Sequence, residues 1–257
     1  MTWTPATPVR ASGRLFAFVL DVLRAVPRRP VQIREFIQQA WFLASVTIVP
    51  TALVAIPFGA VIALQVGGLI KQFGAQAFSG SAMVLAVVRE ASPIATALLI
   101  AGAGGSAICA DLGSRKIREE IDAMQVLGID PLQRLVVPRV VAAMLVAGFL
   151  NGLVAVVGVI GGYVFNVVLQ GGTPGAYIAS FTALAQPSDL WAGEIKALVF
   201  GFIAAMVAAY KGLNAGGGPK GVGDAVNQSV VITFMLLFLA NFVMQAIYFQ
   251  LVPPKGA

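Results

Sequence analysis

The sequence predicts an all-α polytopic membrane protein, and three observations carry that prediction. Hydrophobic residues make up 58% of the 257 positions and charged residues 11%, against roughly 45–50% and about 25% in soluble domains. Mean hydropathy is +0.88. Apolar runs long enough to cross a hydrocarbon core of about 30 Å recur along the chain. They are unbroken rather than alternating, which disfavours a transmembrane β-barrel.

Composition also excludes several functions. The net charge of +6 is explained by the enrichment of Lys and Arg on cytoplasmic loops, so nucleic acid is not needed to account for it. With no His and one Cys, the chain offers no intramolecular disulfide, no Ser–His–Asp set and no ordinary transition-metal site. The run LFAFVL at 15–20 is broken by Asp21 and followed by no small-residue cleavage site, so no signal peptide is expected.

In chain order, residues 13–26 place Arg14, Asp21 and Arg24, with Arg28 beyond, on a narrow polar stripe among Leu, Phe and Val. This predicts an interfacial amphipathic helix with its Arg side chains towards anionic head groups. Pro27 and Pro30 then turn the chain, and 31–41 lead in from the interface. Residues 1–41 therefore form an N-terminal cytoplasmic and interfacial segment, and 42–257 a five-span domain.

The spans are expected at about 42–70, 82–110, 135–169, 190–210 and 229–251. Pro50 and Pro57 fall inside the first and are tolerated in membrane helices. The second carries Arg89 and Glu90, either a buried ion pair or a pair at the outer interface, and a small-residue stretch at 101–107 suited to close helix contact. The third holds Gly148, Gly152, Gly158, Gly161 and Gly162 and exceeds one crossing, so it tilts or projects. The fourth contains Glu194 and Lys196, read as a structural pair. Thirteen of the seventeen basic residues fall on one side of this arrangement. The positive-inside rule then puts the N-terminus in the cytoplasm and the C-terminus outside, in the periplasm.

The polar stretch 111–131 between spans two and three is the most charged in the chain. Ile117, Ile121, Met124 and Leu127 recur at helical spacing with Ala123 and Val126 beside them, and Glu119, Glu120 and Asp122 sit at the N-terminal end. Ser114 as N-cap and Gly128 as C-cap bound a helix over about 114–128. Such a helix either packs on its own spans or docks a cytosolic partner. A further Gly-rich loop, GGGPKG at 216–221, fails as a phosphate loop: Pro219 precedes Lys220 and Gly221 follows it, where a hydroxyl is required. ATP-driven work would need a separate ATPase.

EEIDAMQVLGIDP at 119–131 resembles the E-x-I-D-A-L-x-x-x-G-x-x-P signature of MlaE/YrbE-type permease subunits of MCE (mammalian cell entry) ABC transporters. ALQ at 63–65 with FGA at 73–75, REASPIATALLIAGAGGSAICADLG at 89–113, and KALVFGFIAAMVAAYKG at 196–212 with GVGDAVNQSVV at 221–231 are similar to further family blocks. The resemblance covers about 31–250. It implies a lipid-transporting permease of the bacterial plasma membrane that binds no cofactor itself. ATP and Mg²⁺ would sit on a cytosolic ABC ATPase dimer, a second permease copy would complete a permease dimer, and MCE proteins would form a hexameric ring or tube outside. The 114–128 segment becomes the coupling helix, with Ile117, Ile121 and Met124 filling a groove on the ATPase and Glu119, Glu120 and Asp122 at its rim. Two departures, Ala103 where the family often has Arg and Asn241 where an acid is common, point to a non-identical permease partner, as in systems of the actinobacterial type. The competing reading is an ATP-independent lipid carrier or a membrane scaffold.

Overall fold

A computed structural model describes residues 6–28, 32–74, 78–169 and 171–252. Among the described residues all regular structure is helical. Five helices are long and apolar enough to cross a membrane. In order, α1 is Ala6–Ala25, α2 Ile33–Gln72 and α3 Gly80–Ile117. A short α4 spans Glu120–Val126, followed by α5 at Leu132–Val168. Two short helices, α6 Pro174–Ala179 and α7 Phe181–Leu184, precede α8 Pro187–Leu213 and α9 Gly218–Leu251.

Every span is longer than its apolar run, because polar flanks continue the same helix. α2 takes in the lead-in from Ile33 and runs unbroken through Pro50 and Pro57. The sequence boundary at 41/42 falls inside a helix, and Val22 of α1 shares a core with Leu43 of α2 and Val136 of α5. α3 continues past residue 110 to Ile117, and α9 absorbs most of the Gly-rich loop from Gly218. That loop is the tight turn between α8 and α9, with Gly218 at φ 78°.

α5 and α8 form the centre of the bundle. α2 lies along α5, while α3 and α9 pack on α8. Close approach comes from missing side chains. A Cβ on Gly201 of α8 would lie 2.6 Å from the Ala143 carbonyl oxygen of α5, and one on Gly59 of α2 would lie 2.9 Å from Cα of Gly158. Of the glycines in the third span, Gly158 and Gly162 are such contact points, whereas Gly161 faces open space.

The largest core lies at the α4 end, where Val22, Leu43, Ile108, Leu112, Val136 and Ala208 meet. At the opposite end α6 and α7 close over α3, burying Tyr177 against Met83 and Val87. There the Gly80 amide donates to Ser180 Oγ at 3.0 Å.

Candidate functional site

The polar stretch folds as two pieces joined by a hinge, not as one helix over 114–128. α3 runs on to Ile117, so Ile117 belongs to the span, and Ser114 does not cap: its hydroxyl donates to the Asp111 carbonyl at 2.8 Å within α3. Glu119 then takes φ 60° and ψ 13°. It is the one non-glycine with positive φ among the described residues, a conformation that costs an L-residue about 1–2 kcal/mol. The left-handed step redirects the chain, and α4 restarts with Ala123 N–H donating to the Glu119 carbonyl at 2.9 Å. Gly128 ends α4 as expected. At φ 74° its N–H donates to the Gln125 carbonyl at 3.0 Å, and that of Ile129 to the Met124 carbonyl at 2.9 Å. This is the paired bonding of a Schellman stop.

The apolar faces of α4 are opposite to the sequence expectation. Ile121 is 4% exposed and joins the bundle core, with Met124 packed beside it. Ile117 is half-buried on α3. These three residues anchor the segment to its own spans and do not present a groove-filling face. Ala123 and Ile129 are exposed instead, with Val126 at 88% and Leu127 at 74%. The reason is rotational for Ala123 and Val126: with residues three and four apart sharing a face, seating 121 and 124 inward turns 123 and 126 outward, while Leu127 is exposed where α4 ends.

The acidic face is also largely used within the chain. Glu120 meets Arg118 Nε at 2.9 Å and Arg115 Nη1 at 3.7 Å, and Asp122 accepts from Lys116 Nζ at 2.7 Å. Glu119 remains exposed at the hinge. Pairs as exposed as these contribute about 0–1 kcal/mol each, so their effect is to orient α4 on the end of α3.

Below α4, charge continues into the bundle. Arg115 Nε lies 3.3 Å from Asp111 Oδ1, and Asp111 Oδ2 accepts from Arg139 Nη2 at 2.6 Å. Arg139 also donates to the Leu135 carbonyl at 2.7 Å and sits 3.6 Å from Glu35 of α2. Arg139, one of the thirteen basic residues counted on the cytoplasmic side, is 0% exposed. The chain Glu120–Arg115–Asp111–Arg139–Glu35 ties α4 to α3, α5 and α2. The missed signal was an Arg at the start of an apolar run, one residue after Pro138.

Three of the four residues read as possible ion pairs, Arg89, Glu90 and Lys196, form a second polar cluster towards the opposite end. Arg89 Nε is 3.6 Å from Glu90, and its Nη1 is 3.6 Å from Asp189. Its guanidinium lies over the rings of Tyr248 (4.7 Å) and Phe249 (4.3 Å). Lys196 faces Glu90 at 3.9 Å and donates to Gln245, which in turn donates to Glu90. The Glu194–Lys196 pair does not form, because two residues apart on a helix point to nearly opposite sides. Glu194 accepts from Asn151 Nδ2 at 2.9 Å instead. Asp189 and Tyr248, joined at 2.7 Å, complete a cluster that binds α3, α8 and α9. Their separation along the sequence hid it.

Among the described residues no group of His, Cys, Asp and Glu could hold a metal ion. The arrangement is a small helix with an outward apolar tip, braced through a chain of charged pairs to three spans.

Comparison with known proteins gives matches over nearly the whole chain. A probable ABC transporter permease protein of Rickettsia bellii is 31% identical over 238 residues, covering 93% of this chain and 92% of the relative. A probable ABC transporter permease protein of Synechocystis is 37% identical over 192 residues, 75% of this chain and 73% of its own length. The intermembrane phospholipid transport system permease protein MlaE of Haemophilus influenzae is 28% identical over 245 residues, 93% of this chain and 92% of the relative. The family profile described as permease MlaE matches residues 36–247. That match takes in the hinge, α4 and every member of the two charge clusters except Glu35, Tyr248 and Phe249 at its edges, and the chain belongs to the MlaE permease family.

Proposed function

We propose that this permease is the membrane-embedded subunit of an ATP-driven lipid transporter, coupled through α4 to a separate cytosolic ATPase. One observation carries the docking reading. Val126 and Leu127 stand bare on a helix whose other face is locked into the bundle by Ile121, a combination that fits a contact surface rather than a loose loop. In this reading the α4 end is cytoplasmic, in keeping with the charge asymmetry of the sequence, and ATP and Mg²⁺ bind on the ATPase dimer. Ala123, Val126, Leu127 and Ile129 enter the ATPase, and Glu119 lies at the rim. Closure of the ATPase shifts α4, and the chain from Glu120 to Arg139 and Glu35 passes that shift to α3, α5 and α2.

The cargo is a phospholipid or a related amphiphile, a reading supported by the name of the Haemophilus relative. The partner permease is a second, non-identical copy. In support, Asn241 Oδ1 on α9 is buried without a donor, and α9 is the least enclosed span. MCE proteins forming a hexameric ring or tube on the periplasmic side complete the proposed assembly.

The test is retention of the cognate ATPase on the purified permease. Leu127→Asp with Val126→Asp is expected to lower retention at least tenfold, since a central apolar anchor contributes about 2 kcal/mol or more, while thermal stability stays unchanged. Equal retention by this variant and the parent protein sinks the docking reading. Lipid transfer by the permease alone, without ATPase, favours an ATP-independent carrier.

A further inference from the structure

The amphipathic helix α1 is fastened to the segment that follows α4, and the fastening is polar and specific. Arg28, at the end of the α1 turn, donates from Nη1 to Asp130 Oδ2 at 2.9 Å. Gln133 Nε2 donates to the Arg28 carbonyl at 3.0 Å, and Arg134 donates to Gln32 at the start of α2. Asp130 serves both sides. Its Oδ1 accepts from the Leu132 N–H at 2.9 Å and so caps α5, while its Oδ2 holds Arg28. Asp130 lies four residues beyond the last residue of α4 and directly after Ile129, part of the proposed docking surface.

α1 has three faces. Val22 and Ala25 are buried in the core, with Phe18 set edge-on to Tyr210 of α8 at 5.5 Å. Phe16, Leu20, Leu23 and Val26 are exposed apolar residues. Arg14, Asp21 and Arg24 form an exposed polar face. A helix with one greasy exposed face and one charged exposed face, on which Arg24 lies 3.6 Å from Asp21 and the balance is positive, lies in the interface plane at the end of a bundle of spans, where each Arg is attracted by anionic head groups.

We propose that α1 is a sensor of anionic lipid wired to the docking segment through the Arg28–Asp130 latch, so that membrane surface charge sets how well α4 engages the ATPase. The proposal rests on the docking reading above. Seating α1 on an anionic surface fixes Arg28. Arg28 fixes Asp130, and Asp130 fixes both the start of α5 and the path of Gly128–Ile129. By reciprocity of coupled sites, ATPase engagement also tightens the hold of α1 on anionic lipid.

The experiment places the permease with its cognate ATPase in nanodiscs of phosphatidylcholine alone, or with about one-third phosphatidylglycerol, and reads ATP turnover and ATPase retention. The parent permease is expected to hold the ATPase about fivefold more tightly on the anionic discs, the lower end of ordinary coupling between two binding sites, with ATP turnover rising alongside. Asp130→Asn keeps the capping oxygen and loses the acceptor for Arg28, and Arg28→Gln removes the donor. Each is expected to flatten the lipid response to below about twofold. The double variant is expected to be no flatter than either single one, as for two residues acting through one contact. Arg24→Gln, outside the latch, shifts the response to higher phosphatidylglycerol and keeps its size. A parent complex indifferent to phosphatidylglycerol overturns the proposal, as do latch variants that keep the full response. An ATPase that fails to bind the parent permease on either disc overturns the docking reading itself, which is a separate result.

Discussion

Arg139 shows what a charge inside a membrane span requires. Its guanidinium is fully enclosed, and Asp111, Glu35 and the Leu135 carbonyl face it. Removing Arg139 takes a partner from Asp111 and Glu35, but Asp111 keeps Arg115 and both carboxylates are partly open to water. That puts the cost at about 1–3 kcal/mol, below that of a fully uncompensated buried charge. Arg139→Met is therefore expected to lower stability by that amount in thermal unfolding in detergent. Arg139→Lys should recover only part of it, since an ammonium lacks the planar fork that reaches several acceptors at once. Tyr177 makes the contrasting case. Its hydroxyl is buried without a hydrogen-bond partner, and burial pushes its pKa from the ordinary value of 10.0 up to about 12. The folded protein favours the neutral phenol, so this contribution is complete below pH 10 and is lost as pH rises towards about 12. Tyr177→Phe should remove that alkaline loss and leave stability near neutrality unchanged or higher, because no hydrogen bond is broken. A variant markedly less stable at neutral pH would mean that the hydroxyl has a partner.

At the scale of elements, the spans were legible and the hinge was not. Uninterrupted apolar runs gave all five membrane helices, since nothing else accounts for such runs at that length. Their ends were too short because polar residues stop a hydropathy signal without stopping a helix: Asp111, Arg115 and Lys116 continue α3 by pairing with Arg139, Glu120 and Asp122. Periodicity grouped Ile121 and Met124, which do share the inward face of α4, with Ile117 of α3 and Leu127 beyond α4, and it carries no information on which face meets the bundle. The left-handed step at Glu119 decides that, and a Glu at such a position leaves no mark in the sequence. The hinge is open to test. Glu119→Gly suits φ 60° and should stabilise the fold by up to about 1 kcal/mol, whereas the β-branched Glu119→Val should destabilise it. Thermal unfolding of the two variants, compared with the parent protein, reads both signs. If Gly and Val behave alike, the left-handed geometry is not what shapes the turn.

For the whole molecule, the position of α4 depends on α5 and α8 holding their crossing, because every brace of the site ends on a helix packed against that pair. The crossing is set by Gly201, where an added Cβ would lie 2.6 Å from the Ala143 carbonyl oxygen and 2.9 Å from Ala147 Cβ. Neither neighbour is the free end of a flexible side chain, so the helices themselves have to separate. Interiors packed this tightly do not absorb such a shift locally. Gly201→Ala is expected to cost about 1–3 kcal/mol through overpacking and to weaken ATPase retention, although Gly201 belongs to neither α4 nor its charge chain. Gly161→Ala on α5, with no atom within 4 Å of the added Cβ, is the matched control and should change neither. Thermal unfolding and ATPase retention are read together on both variants. Loss of stability with full retention would mean that α4 is positioned locally by α3 alone. Loss of both would place the control of the docking face in the central helix pair.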